Sequence, residues 1–184
     1  MAAMSDHHDA TSASLSTALS EVDAHLAAGG WDQPARLYAL VKTADLLLAE
    51  PDLAASLDIP ARPDADALTP VEQEALPAGQ PLDEWLASIG WPAEVFGCAL
   101  AHEVLTLPPS VEADIPDHPG ADPASWAATH PLRREVRMLV GVLRDGSRGA
   151  ILRVRGVGDA GDDVVTGPEL VPLLADALAA TLAD

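Results

Sequence analysis

EVRMLVGVLRDGSRGAILRVRG, Glu135 to Gly156, is the stretch whose reading decides the fold. Val136, Met138, Val140 and Val142 alternate with Arg137, Leu139, Gly141 and Leu143. Such a period of two is that of a strand with two unlike faces. On the return, Leu152 and Val154 alternate with Ile151, Arg153 and Arg155. Asp145-Gly146-Ser147-Arg148-Gly149 between the two runs is turn chemistry. The stretch therefore predicts an antiparallel hairpin. Pairing Arg144 with Ala150 or with Arg148 puts Leu152 and Val154 on the valine face, whereas a slip of one residue would turn Arg153 into the core.

Upstream, GWPAEVFGCALAHEVLTLPPSVE predicts a second strand over 94–107, ended by Pro108-Pro109. Phe96, Cys98, Leu100, His102 and Val104 share one face of it, and Val95, Gly97, Ala99, Ala101, Glu103 and Leu105 the other. Both faces are mainly apolar, as in a strand covered on both sides. Arg36 to Val41 alternates too and predicts a short strand, with Thr43 capping the helix after it; a single helix through 35–50 is the rival reading, since alanine and leucine favour it. Leu15, Leu19, Val22 and Leu26 form the stripe of an amphipathic helix stopped at Gly29-Gly30. A short helix is expected over Leu82–Ile89. At the end of the chain, Thr166 and Glu169 fit a capping box, and a helix is expected from near Pro172. Residues 51–81 and 108–131 hold six prolines each and are expected to be acidic loops. The fold class is thus α+β: a mostly antiparallel sheet of about four strands, packed by N- and C-terminal helices. Residues 1–11 are expected to be a flexible leader, and 12–184 a single domain.

The formal net charge of -19 opposes nucleic acid and anionic membrane surfaces, both of which select cations. No run is long and apolar enough for a membrane span. One cysteine makes no internal disulfide, and a cytoplasmic location is expected. No P-loop, dinucleotide fingerprint, nucleophile elbow or zinc-protease motif occurs, and no cofactor is expected.

Cys98, His102 and Glu103 lie close together in sequence. In a strand, Cys98 and His102 are about 13 Å apart; in a helix they would be neighbours. An enzyme using Cys98 with His102 requires the helix, so a buried structural thiol is the preferred reading. Asp117, His118, Asp122 and His130, and Asp159, Asp162 and Asp163, lack ligand spacing. His7 and His8 fall in the leader.

Of ten basic residues, seven are arginines between Arg133 and Arg155. Arg137, Arg153 and Arg155 share the non-valine face of the hairpin. Two readings stand: a covered or solvated sheet face whose arginines are paired with acidic side chains from the loops, or a docking surface for an acidic partner. Glu103 is expected to pair with an arginine of the hairpin. The expected function is non-enzymatic binding or adaptor activity, with a protein partner or a homodimer. Arg153→Ala is expected to cost only what an exposed ion pair is worth.

At WDQPARLYALVKTADLLLAEP, GWPAEVFGCALAHEVLTLPPSVE and HPLRREVRMLVGVLRDGSRGAILRVRG, the chain resembles a family of small actinobacterial proteins with no assigned function. The resemblance spans most of 15–183 and implies no catalytic residues. The alanine-rich, lysine-poor composition also resembles that of a high-GC actinobacterial genome. The order of elements is similar to secretion-chaperone-like α+β folds, a likeness of fold alone.

Overall fold

The structure, a computed structural model, describes residues 2–56, 59, 63–74, 76–77, 80–118 and 120–183; the side chains of 2–8, 53, 54 and 112 are outside the description. Its centre is the expected hairpin, β4 (Arg134–Leu143) and β5 (Arg148–Val154). The register pairs Val142 with Arg148, Val140 with Ala150, Met138 with Leu152 and Val136 with Val154. This differs from both expected pairings of Arg144, but by an even number of residues. The faces are therefore as expected, since only an odd slip exchanges them.

β3 (Val95–Thr106) lies beside β4, and β1 (Arg36–Lys42) beside β3. Two further strands were missed in the sequence. β2 (Leu68–Glu72) and β6 (Asp163–Gly167) complete an antiparallel sheet of order β2-β1-β3-β4-β5-β6. β2 contains Pro70, which removes a backbone donor; β2 is an edge strand, where that loss is tolerated. Thr166 lies in β6 opposite Ile151, so it caps no helix.

The helix α1 (Ala2–Ala28) covers one face of the sheet. It begins at Ala2 and so takes in residues 2–11, the stretch read above as a leader. Leu15, Leu19, Val22 and Leu26 are all buried, as their spacing requires. A row of small residues runs across the sheet beneath them: Ala99 opposite Gly141, and Gly141 opposite Gly149. A Cβ at Gly141 would stand 2.9 Å from Leu19 Cδ2 and 3.0 Å from Leu15 Cδ1, and one at Gly149 2.9 Å from Leu19 Cδ1. The two glycines thus form the trough in which α1 lies, and a larger residue there would require Leu15 and Leu19 to repack.

α2 (Thr43–Ala49) follows β1 directly, and α3 (Pro51–Ser56) follows it within the first proline-rich stretch. Thr43 does not cap α2. Its Oγ1 is hydrogen-bonded to Thr69 Oγ1 at 3.0 Å, and its N–H donates to the Ala67 carbonyl, so the residue ties β1 to the start of β2. The second proline-rich stretch contains a 3-10 turn over Pro109–Asp114 and α5 (Pro123–Thr129). α4 (Leu82–Ala87) and α6 (Pro172–Thr181) lie on the face opposite α1. Leu86, Ala175 and Leu178 pack there with Cys98, Leu100, Val140, Val142 and Ala150. Alternation in β3 breaks at a register shift opposite Leu40 and Val41. Phe96 consequently packs with the α1 cluster and Val95 with the α6 cluster, the reverse of a regular strand.

Candidate functional site

The α1 face of the hairpin holds the arginines singled out in the sequence. Gly30, at φ 81°, ends α1 as expected, and Asp32 follows at φ 65°. These two left-handed residues turn the chain so that Trp31 lies over the sheet. Arg137 stacks on the Trp31 ring at 4.8 Å, and Arg155 approaches the same ring at 5.6 Å.

Arg137 is 2% exposed. It donates from Nε (3.0 Å) and Nη2 (2.6 Å) to Glu103 Oε1, and from Nη2 to the Gly30 carbonyl. Glu103 sits directly across the ladder from Arg137, which is the hairpin arginine it pairs with. Its other oxygen accepts from the N–H of Asp32 at 2.8 Å and of Gln33 at 3.3 Å. One carboxylate therefore holds β4, β3 and the turn after α1. Arg153 grips Asp23 of α1 with two hydrogen bonds, 3.1 and 2.5 Å, and lies 3.6 Å from Asp162. Asp23, first, and Asp162 raise the pKa of Arg153 further. Arg155 pairs with Glu135 and, at 3.6 Å, with Asp32.

The structure does bring the three arginines together, around Trp31. Their charge is met from within by Asp23, Asp32, Glu103, Glu135 and Asp162. Arg137 and Arg153 are thereby committed to holding α1 and its turn on the sheet. Arg155 alone keeps substantial exposure, and it lines a cavity of about 310 Å³ with Arg133, Arg134 and Glu135.

Cys98 and His102 lie on the same face of β3, four strand positions apart, or about 13 Å. Cys98 is fully buried. Its Sγ is 3.8 Å from the Leu178 carbonyl and 3.7 Å from Thr181 Oγ1, and Trp91 Nε1 donates to that same hydroxyl at 3.0 Å. Burial pushes the thiol pKa up to about 11, so at neutral pH it is a protonated small core side chain rather than a nucleophile. Burial also lowers the pKa of half-buried His102, with Glu103 opposing.

Of the remaining candidates, Asp122, His130 and Asp162 have partners within the fold. Asp122 caps α5 by accepting from the Ser125 N–H, His130 stacks on Trp126, and Asp162 accepts from the Gly156 N–H. His7 and His8 have side chains outside the description. Among the described residues, no three His, Cys, Asp or Glu side chains are grouped to hold a metal ion.

The feature missed in the sequence is the β6 edge. Val165, Leu152, Met138 and His102 stand opposite one another in successive strands, a row crossing four of the six strands on the α6 side. The next two rows on that face toward the turn, through Val140 and Val142, join the core cluster with α6. The row ends at β6, where Val164 is 45% and Val165 50% exposed.

A family model for the PPA1309-like protein family matches residues 15–183. The chain belongs to that family. Comparison with curated proteins and with solved structures finds no match. Among the described residues no helix is long and apolar enough to cross a membrane.

Proposed function

We propose that this PPA1309-like protein is a non-enzymatic binding protein that takes up an extended segment of a protein partner along the outer edge of β6. The observation that carries the reading is the exposure of both valines of the last strand in the sheet. Beyond β6 no strand follows among the described residues. A terminal strand offers backbone donors and acceptors to an incoming chain, and side chains on either side of it supply selectivity.

Charge specifies the occupant. Asp163 stands at the start of β6 and Glu169 just beyond its end, both exposed. An antiparallel second copy would bring Asp163 of each chain toward the far end of its mate, where Glu169 stands, and like charges opposed across strands are unfavourable. An apolar strand with a lysine or arginine on each flank fits instead, and the chain's charge of -19 speeds its approach. A cytoplasmic setting suits a buried, free Cys98, and the composition suits an actinobacterial source.

The test is calorimetric titration with a short peptide of alternating valine and threonine carrying a lysine at each end. Saturable binding is expected, lost in the V164D/V165D variant and absent for the same peptide with glutamate flanks. Equal binding to parent and variant would overturn the reading.

A further inference from the structure

The arginines that do not hold α1 define a second site. Arg133 and Arg134 precede and open β4, and both are exposed. Neither forms an ion pair among the described residues; Arg134 Nη1 donates only to the Arg133 carbonyl, at 3.2 Å. They line the 310 Å³ cavity together with Arg155, Glu135, Gly156 and Gly158. Its size is at the small end for ligand pockets, which run from about 300 to 1,000 Å³.

The far wall is rigid. A Cβ on Gly156 would lie 2.0 Å from the Ala160 carbonyl oxygen and 2.7 Å from that of Gly161, so only glycine fits. The Gly156 N–H is fixed on Asp162 Oδ1 at 2.9 Å, and Gly158 turns the loop at φ 65°. Asp162 is itself beside Arg153, so this wall is tied to the α1 face. The opposite wall is also tied down, since the Arg133 N–H bonds the His130 carbonyl and the Arg155 N–H that of Glu135.

We infer that this cavity binds a phosphate monoester, held by Arg133 and Arg134 with Arg155 as a fixed third cation. Three arginines and one glutamate line it, and that glutamate is already engaged by Arg155, which Asp32 also meets at 3.6 Å. Arg133 and Arg134, without an ion pair among the described residues, bring two positive charges that match a phosphate monoester, at about -1.5 to -2, better than a single carboxylate. Arginine forks also suit phosphate oxygens, which accept in pairs. The overall charge of -19 repels anions at low salt. At physiological ionic strength charges beyond about 8 Å are screened, and the local cations then dominate.

The experiment follows backbone amide and arginine Hε resonances during titration at about physiological salt. The probes are inorganic phosphate, glycerol phosphate, a phosphoserine peptide and acetate. Saturable shifts at Gly156, Val157, Gly158 and Arg133 are expected with the phosphates, with acetate at least tenfold weaker. The R133Q/R134Q variant should lose at least tenfold in affinity while its melting temperature holds, because both side chains are exposed. Tighter binding of the phosphopeptide than of glycerol phosphate assigns the group to a protein side chain; the reverse assigns it to a small molecule. Either order keeps the site. Failure of all three phosphates to saturate, equal binding of acetate, or unchanged affinity in the variant would overturn it. The valines of β6 take no part, so this outcome is separable from that of the β6 titration.

Discussion

Removing the Glu103 carboxylate should be among the most damaging single changes outside the apolar core. Glu103→Ala leaves Arg137, 2% exposed, without its counter-charge. The Nη1 of Arg137 is buried and already lacks a hydrogen-bond partner among the described residues. Breaking a buried pair by deleting one member costs about 3–5 kcal/mol. A chain of this length loses about 2–4 °C in melting temperature per kcal/mol. The expected fall is therefore roughly 6–20 °C. Two controls separate charge from geometry. Glu103→Gln keeps an acceptor for the Asp32 and Gln33 N–H groups but not the charge, and should recover only part of the loss. Arg137→Met should cost less than Glu103→Ala, because Glu103 is 17% exposed and keeps those two N–H donors. Calorimetric melting of the three variants, with the Glu103→Ala/Arg137→Met double, closes a cycle. If Glu103→Ala melts within a degree or two of the parent, about what an exposed pair is worth, the arginine is not buried as described.

Other outcomes follow from the same geometry. Val140→Asp places a carboxylate beside Leu100, Ala150 and Leu178 with no cation in the cluster, and should abolish cooperative unfolding at a cost of several kcal/mol, read by circular dichroism. Arg153→Ala should cost about 2 kcal/mol in chemical denaturation, more than the small loss expected from sequence, because Arg153 grips Asp23 twice and is only 17% exposed. Cys98 should resist a thiol reagent at neutral pH in the native protein and react fully once unfolded; fast native labelling would contradict its burial. His102 has a lowered pKa when folded, so the unfolded chain binds its proton more readily. Its contribution is nil well above the ordinary histidine value near 6.5 and turns destabilising as pH falls below it. His102→Leu should therefore flatten part of the decline in melting temperature below that pH.

How much of this was legible depended on which residues had to be read. Val136 to Val142 and Ile151 to Val154 carry their own period, and the hairpin faces came from it directly. Leu15 to Leu26 did the same for α1. The assignment of Cys98 and His102 needed only the choice between strand and helix, and Gly97, weak evidence against a helix, has a stronger cause. A Cβ there would stand 2.4 Å from the Val142 carbonyl oxygen of the neighbouring strand. β2 was hidden by Pro70, because a proline argues against a strand unless the strand is known to be an edge. β6 was hidden because Thr166 and Glu169 imitate a helix start, and five residues are too few to show a period. The partners of Arg137, Arg153 and Arg155 lie mostly on distant elements. Asp23, Asp32 and Trp31 are brought to them by the path of α1 across Gly141 and Gly149, which no local pattern reveals.

The central claim is that β6 is a docking edge, and amide hydrogen exchange across residues 163–167 tests it most directly. With the lysine-flanked valine–threonine peptide present, exchange should slow at β6 while the amides of β2, the opposite edge, keep their rates. Unchanged exchange at 163–167 under saturating peptide, or protection appearing at β2 instead, would contradict the account.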